Sequence, residues 1–114
     1  MDKKQVLMKQ LKPYLPTGFD EMVADLLLLY PVRFAITNPR TTKLGDYRAP
    51  MQGEKFHRIS VNGNLNQYSF LITTLHEFAH HVTFEKYSNR VSPHGGEWKH
   101  EFKLLLQPVI YHPE

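Results

Sequence analysis

Residues 71–82 read LITTLHEFAHHV, and this stretch decides both how the chain folds and what chemistry it can carry. Its apolar side chains recur at the spacing of one buried helical face, and they are Leu71, Leu75, Phe78, Ala79 and Val82. The spacing predicts an amphipathic helix over residues 68–87, with one apolar stripe packed on a core.

An HExxH motif lies inside that helix, with His76 and His80 four residues apart. Four residues correspond to about 400° of rotation and about 6 Å of rise, so both imidazoles project from nearly one face. Two imidazoles placed in this way can share a metal ion, and Glu77 beside them can take a proton from water that the ion activates. With seven histidines in 114 residues, a chance match among ordinary surface or core histidines is the alternative.

A catalytic zinc ion takes three protein ligands and keeps one open position, so the motif alone is incomplete. A metzincin would place its third histidine at position 86, which is Lys86, and that class is excluded. Glu97 or Glu101 would give a thermolysin-like site. We favour His94, because the adjacent glycines let the backbone approach a metal closely and the positive end of a following helix keeps the ring neutral.

The remaining pattern predicts an α+β fold, in which about four helices pack with a small antiparallel sheet of three strands. Alternating apolar and polar residues place strands at Val32–Thr37 and His57–Asn62. A further strand is predicted at Lys43–Arg48, where Gly45 and Asp46 weaken the pattern or mark a bulge. A last helix is expected from about Gly96 to Gln107, ending before Pro108.

Length and composition indicate a single domain over residues 1–114. The domain divides into an N-terminal helical pair over residues 1–31 and a sheet region over residues 32–66. The third region, over residues 67–110, contains the active-site helix, the third-ligand loop and the last helix. The sequence contains no cysteine, which excludes disulfides, cysteine-ligated zinc and thiol catalysis. It shows neither a signal-peptide pattern nor a membrane span, so we expect a cytoplasmic protein with no membrane partner.

Positive charge is concentrated in one segment, although the formal net charge of the chain is only +3. Between Arg33 and Arg58 only Asp46 and Glu54 are acidic, whereas the basic residues are Arg33, Arg40, Lys43, Arg48, Lys55 and Arg58. Such a segment can bind phosphates, which makes DNA a candidate partner. The alternative is a solvated strand surface.

Taken together, these motifs resemble the SprT-like zinc metalloproteases, the family that includes the Spartan-type DNA–protein crosslink proteases. The resemblance rests on LITTLHEFAHH, on HGGEW (an HGxxW motif) after it, and on ISVNGNLNQYSF before it. It covers about residues 32–108 and implies a minimal zincin-like domain, with one catalytic Zn²⁺ on His76, His80 and His94 and with Glu77 as the base. It also implies a protein or peptide substrate, associated with or crosslinked to DNA. Many members continue into a zinc ribbon, and we expect none here.

An extended substrate is expected to add to the third strand, and we assign substrate contacts to His57, Ile59, Val61 and Asn62. The oxyanion has no clear partner; the candidates are His100, Tyr111 and His112.

Two further side chains near the motif are expected to have supporting positions. Trp98 belongs to an apolar helical stripe and is expected in the core. His81 lies about 100° round the helix from His80 and is expected beside the site or exposed.

The main alternative to a protease is a zinc-stabilised DNA-binding or adaptor module without measurable proteolysis. An intact Glu77 argues against it, because a structural zinc site has no use for that carboxylate.

Overall fold

The computed structural model describes residues 2–111, which form four α-helices and three β-strands. In chain order these elements are α1 (Lys3–Leu11), α2 (Asp20–Leu29), β1 (Val32–Thr37), β2 (Gly45–Arg48), β3 (His57–Asn62), α3 (Gln67–Tyr87) and α4 (Gly96–Ile110), with a 3₁₀ turn at Lys12–Tyr14. The predicted α+β fold is confirmed. The bounds of β1 and β3 are those predicted, whereas β2 begins two residues later than predicted.

The sheet is mixed, and the prediction of an antiparallel sheet was wrong. Strand β3 lies in the centre, parallel to β1 and antiparallel to β2. Strands that follow one another in a chain usually pair, and that tendency underlies the antiparallel prediction. Here β1 and β2 occupy opposite edges, so β1 and β3 run in the same direction and β2 alone is reversed. As a result, β3 has no free edge.

The substrate contacts predicted on β3 were therefore wrong as well. A peptide cannot add to a strand that is paired on both sides, and all four assigned residues are buried. Ile59 and Val61 face the core. The Asn62 side chain accepts a hydrogen bond from Arg40 Nε at 2.8 Å and donates one to the Lys43 carbonyl at 2.9 Å, which holds the loop between β1 and β2. His57 faces α3.

Helix α3 is the central element, because both the sheet and α4 pack against it. Asn66 caps its first turn, accepting a hydrogen bond from the Ser69 amide at 2.9 Å. Its apolar side chains meet those of the sheet and α2 in one core, formed around Phe70, Leu71, Leu75, Phe78, Ile59, Val61 and Val23. No helix among residues 2–111 is long and apolar enough to cross a membrane.

Helix α4 continues to Ile110, past the proline that was predicted to stop it. Proline lacks an amide hydrogen and usually kinks or ends a helix. Pro108 lies in the last turn, where few backbone bonds remain to be lost. On either side of it, Leu105, Leu106 and Val109 pack against the core, and this contact favours the extra turn.

Candidate metal centre and its cleft

Three histidines converge where the middle of α3 meets the loop before α4. The Nε2 atom of His94 lies 3.0 Å from Nε2 of His80 and 3.1 Å from Nε2 of His76. His76 and His80 are four residues apart on α3, and His94 precedes Gly95, the N-cap of α4. The fold thus brings together the three residues that the sequence nominated as ligands.

Hydrogen bonds alone do not account for this arrangement. A ring nitrogen carries either one proton or one lone pair, so Nε2 of His94 can form one good hydrogen bond but has two nitrogen neighbours. Ligands placed 2.0–2.1 Å from a tetrahedral zinc ion lie about 3.3 Å apart, so a small opening of the cluster would admit an ion. Three imidazoles are also a donor set that suits Zn²⁺. The residues present therefore fit a zinc ion.

Burial keeps two of these rings ready to act as ligands. It lowers the pKa of His80 to about 4, with the neighbouring His76 and His94 adding to the effect. It also lowers the pKa of His76, again with a contribution from His94. A metal ligand must be the neutral imidazole, so both rings are in the binding form at neutral pH.

The backbone of His94 is left-handed, with φ of 63°. This region is uncommon for a residue with a side chain, although histidine enters it more readily than most. Backbone strain of this kind persists where the surrounding structure enforces it, and it concentrates at functional sites. At His94 it accompanies a side chain that points at the other two histidines.

Glu77 is buried beside the three histidines, with 6% of its surface exposed. Burial, reinforced by the negative charge of Asp46, raises the pKa of its carboxyl group to about 7. A general base works best when its pKa lies near the working pH, so this environment suits proton transfer at neutral pH.

Strand β2 approaches this carboxylate closely through Gly45. A methyl group at Gly45 would lie 2.7 Å from Thr73 Cγ2, closer than two carbon atoms normally come, and 3.0 Å from Glu77 Oε2, which is also a tight contact. The glycine, which only weakened the strand prediction, therefore has a steric reason: it lets β2 lie against α3 at the position of Glu77.

The site opens into a cleft of about 570 Å³ between β2, α3 and the loop before α4. Trp98 forms part of its wall and is also mostly buried, with its ring centroid 4.8 Å from that of His76 and 4.7 Å from that of His94. The prediction that Trp98 packs in the interior is confirmed, but its partners include the candidate ligands, so it also fixes their orientation. Of the described strands, β2 presents the one edge that faces this cleft.

Tyr47 of β2 lines the same cleft, although no sequence pattern predicted a site residue there. Its ring stacks against His80 at 6.2 Å, and its hydroxyl lies 2.6 Å from Nδ1 of His57. In the sequence, its only signal is its position in a short strand that contains a glycine, a pattern that does not point to a site.

Neither carboxylate proposed for a thermolysin-like site reaches the histidines. Glu101 is buried and its Oε2 atom lies 2.7 Å from Nζ of Lys86, and Glu97 is exposed in the first turn of α4. Among the described residues, the group that could hold an ion with His76 and His80 is completed by His94.

The structure also places the other side chains that were predicted near the site. His81 is fully buried rather than exposed, because the 100° turn from His80 points it at the sheet. His100 and Tyr111 do not line the cleft, and His112 lies outside the described residues.

A row of arginines crosses the outer face of the sheet, opposite α3. Arg33, Arg58 and Arg48 are in register on the three strands, and we call them the arginine row. All three are exposed and line a shallow groove of about 290 Å³. Each has a local contact: Arg33 lies 4.5 Å over the Phe56 ring, Arg58 pairs with Glu54 and Arg48 with Asp46, both at 3.0 Å.

Comparisons with known protein families, with curated proteins and with solved structures find no match for this chain. The SprT-like resemblance therefore stays a prediction, and function is argued from the site.

Proposed function

We propose that this protein is a zinc-dependent peptide-bond hydrolase of the SprT-like, zincin-like type. The observation that carries the proposal is the convergence of three histidines, in which Nε2 of His94 lies about 3 Å from Nε2 of both His76 and His80. They lie beside a buried carboxylate and line an open cleft. A site that only stabilises the fold would close around its ion and would not need a neighbouring base.

In this proposal His76, His80 and His94 would hold one Zn²⁺ ion. The ion would supply Lewis acidity, which lowers the pKa of water and polarises a carbonyl group. Glu77 accepts a proton from the attacking water and later delivers it to the amine that leaves when the peptide bond breaks. Trp98 holds the histidine rings in position through the contacts described above.

An extended peptide is expected to bind along the free edge of β2. That edge lines the cleft at Gly45, Asp46 and Tyr47, next to Glu77. Pairing with a strand edge uses backbone hydrogen bonds, so it gives affinity with little sequence preference. This proposal replaces the assignment of substrate contacts to β3.

The direct test is cleavage of casein or histones by the purified protein, with and without single-stranded DNA. We expect a chelator to lower the rate at least about 100-fold and added Zn²⁺ to restore it, because the reaction needs the Lewis acid. Stoichiometric zinc with no turnover under any condition would contradict the protease proposal and favour the zinc-stabilised DNA-binding or adaptor module.

We propose the arginine row as the surface that would bind DNA, whichever of these functions holds. Replacing Arg33, Arg48 and Arg58 together with glutamine is expected to weaken binding of single-stranded DNA at least about tenfold at low salt, and to lower the salt dependence of the affinity by about two units of slope. The measurement is fluorescence anisotropy over a series of salt concentrations.

A matched control removes the same charge elsewhere. Lys3, Lys9 and Lys12 are exposed on or just after α1, and their triple glutamine variant is expected to bind DNA nearly as the unchanged protein does. Equal weakening by both triple variants would mean that net charge, not the arginine row, determines binding. Binding that is absent or insensitive to salt would remove DNA as a partner.

A further inference from the structure

A second group of potential metal ligands lies next to Tyr47, whose ring also stacks against His80 of the first site. His81 and Glu85 are four residues apart on α3, and His57 is the first residue of β3. Their potential ligand atoms all lie within 4.8 Å of one another. The pair on α3 repeats the four-residue spacing of His76 and His80, shifted by five residues and therefore about 140° round the helix.

The distances in this group are those of metal ligands rather than of hydrogen bonds. Glu85 Oε1 lies 3.4 Å from His57 Nε2 and 3.8 Å from His81 Nε2. Good hydrogen bonds between nitrogen and oxygen are 2.7–3.2 Å long, so both separations are too long for one. Two ligands of a tetrahedral zinc ion lie about 3.3 Å apart, which the first separation matches and the second approaches.

His81 supplies an independent observation. It is fully buried, and neither of its ring nitrogens has a hydrogen-bond partner among the described residues. A buried polar group without a partner is costly, and histidine is uncommon at such a position unless something binds it. Its Nε2 atom is the one that faces Glu85, so an ion there would satisfy it.

The orientation of His57 fits the same purpose. The Tyr47 hydroxyl lies 2.6 Å from Nδ1 of His57, which leaves Nε2 turned toward Glu85 and His81. A histidine that binds a metal through one nitrogen usually has its other nitrogen held by a hydrogen bond, which fixes the ring. The rings of His57 and His81 meet edge to face with their centroids 4.1 Å apart, so both are held by packing.

We propose that His57, His81 and Glu85 form a second metal site, which takes a divalent transition-metal ion of the Zn²⁺ class. Two imidazoles and one carboxylate are a donor set that such ions prefer over Mg²⁺ or Ca²⁺. The side chain of Glu85 is half-exposed, so the ion can enter from solvent and water can complete its coordination. The ion would fasten the start of β3 to α3. This site does not depend on the proposed hydrolase function.

Zinc stoichiometry tests the proposal. Metal-free protein is loaded with Zn²⁺, freed of excess ion and measured for bound zinc. We expect two equivalents in the unchanged protein and one in Glu85→Ala, with two kept in the matched control Glu21→Ala, whose side chain is exposed on α2 far from both sites. His94→Ala should keep one equivalent, and His94→Ala/Glu85→Ala should keep none.

Each outcome separates the two sites. Loss of zinc in Glu85→Ala supports the second site. If the unchanged protein holds only one equivalent, and Glu85→Ala loses it while His94→Ala keeps it, the second site is still supported and the first site is removed. A zinc content unchanged by Glu85→Ala overturns the second site. So does a His94→Ala variant that is folded but holds no zinc.

Thermal unfolding gives a readout that does not depend on activity. In the His94→Ala background, excess Zn²⁺ is expected to raise Tm by at least about 5 °C, because an ion that binds only the folded state stabilises it. Adding Glu85→Ala should remove this rise. A rise of equal size in both variants would show that zinc stabilises the chain elsewhere and would also overturn the proposal.

Discussion

Replacing Glu77 with glutamine is expected to reduce peptide hydrolysis by a factor of about 10² to 10⁴ while zinc content stays unchanged. Glutamine has nearly the same shape and keeps the side chain in the same pocket against β2. It cannot accept a proton, so the transfer from water to the leaving amine is lost. The three histidines are untouched, and the site should still hold its ion.

The loss of activity would not be an effect of unfolding, as the pKa of Glu77 indicates. Burial raises this pKa from 4.5 to about 7, so the folded state binds the proton more tightly than the unfolded state does. A carboxyl group of this kind does not reduce stability below pH 4.5, and it costs stability progressively as the pH rises through 7. Metal-free Glu77→Gln should therefore equal the unchanged protein near pH 4 and exceed it by about 3 kcal/mol near pH 8.

Three measurements on the same preparation test this prediction: bound zinc, casein cleavage and the free energy of unfolding with metal removed. Glu21→Gln is the matched control, since the same atom change occurs at an exposed side chain on α2 and should leave all three unchanged. Substantial cleavage by pure Glu77→Gln protein that contains zinc would remove Glu77 from the role of base.

Local sequence patterns predict the elements that carry their own periodicity. Strands β1 and β3 alternate apolar and polar residues and occupy the predicted positions, and α3 begins within one residue of its predicted start. In these segments the same side chains form the element and bury it in the core, so local and global preferences agree. The apolar stripe through Leu75 and Phe78 is fully buried as expected.

The order of the strands depends on contacts that no local pattern records. Strand β2 has four residues, a glycine and no strongly alternating pattern, so its sequence does not say which edge it joins. The decisive contacts, such as Gly45 against Thr73 and Glu77, join residues about 30 positions apart. The predicted pairing therefore followed the general preference for neighbouring strands, and here that preference fails.

The two groups of potential metal ligands also differ in how far a local sequence pattern reveals them. His76 and His80 could be found because their spacing belongs to one helix, and His94 because a glycine-rich loop leads into the next helix. The burial of His81 could not be predicted, because both the sheet and α4 pack against α3. An amphipathic pattern indicates the apolar stripe of a helix, but not which of the faces beside that stripe the sheet covers. His57 joins it only through tertiary packing.

Replacing His94 with alanine is expected to weaken zinc binding at the first site by at least about 100-fold. Removing a residue that merely supports a ligand typically costs 10–100-fold in metal affinity, and a lost ligand should cost more. His94 is also the residue whose Nε2 links the other two, at 3.0 and 3.1 Å. Without it, two histidines four residues apart on α3 would be left to hold the ion.

Two contrasting variants make the measurement specific. Glu101→Gln tests the thermolysin-like alternative and is expected to keep zinc, because Glu101 is paired with Lys86 at 2.7 Å. Its effect should be a small loss of stability, about 1 kcal/mol or less, since Lys86 is half-exposed and water screens the pair. His100→Ala makes the same substitution as His94→Ala at an exposed position of α4 and should also keep zinc.

Competition against a chromophoric chelator gives the affinities, with the Glu85→Ala background isolating the first site. If Glu101→Gln loses zinc while His94→Ala keeps it, the third ligand is the glutamate, and α4 must then shift to bring that carboxylate to the histidines. Loss in His94→Ala alone identifies the imidazole as the third ligand. The backbone of His94 is left-handed, and alanine would have to adopt the same conformation, so Asn at this position, a residue that also enters this region readily, is the variant that keeps the loop without the imidazole. Equal metal loss in His94→Ala and His94→Asn would assign the loss to the missing ring and not to a change in the loop.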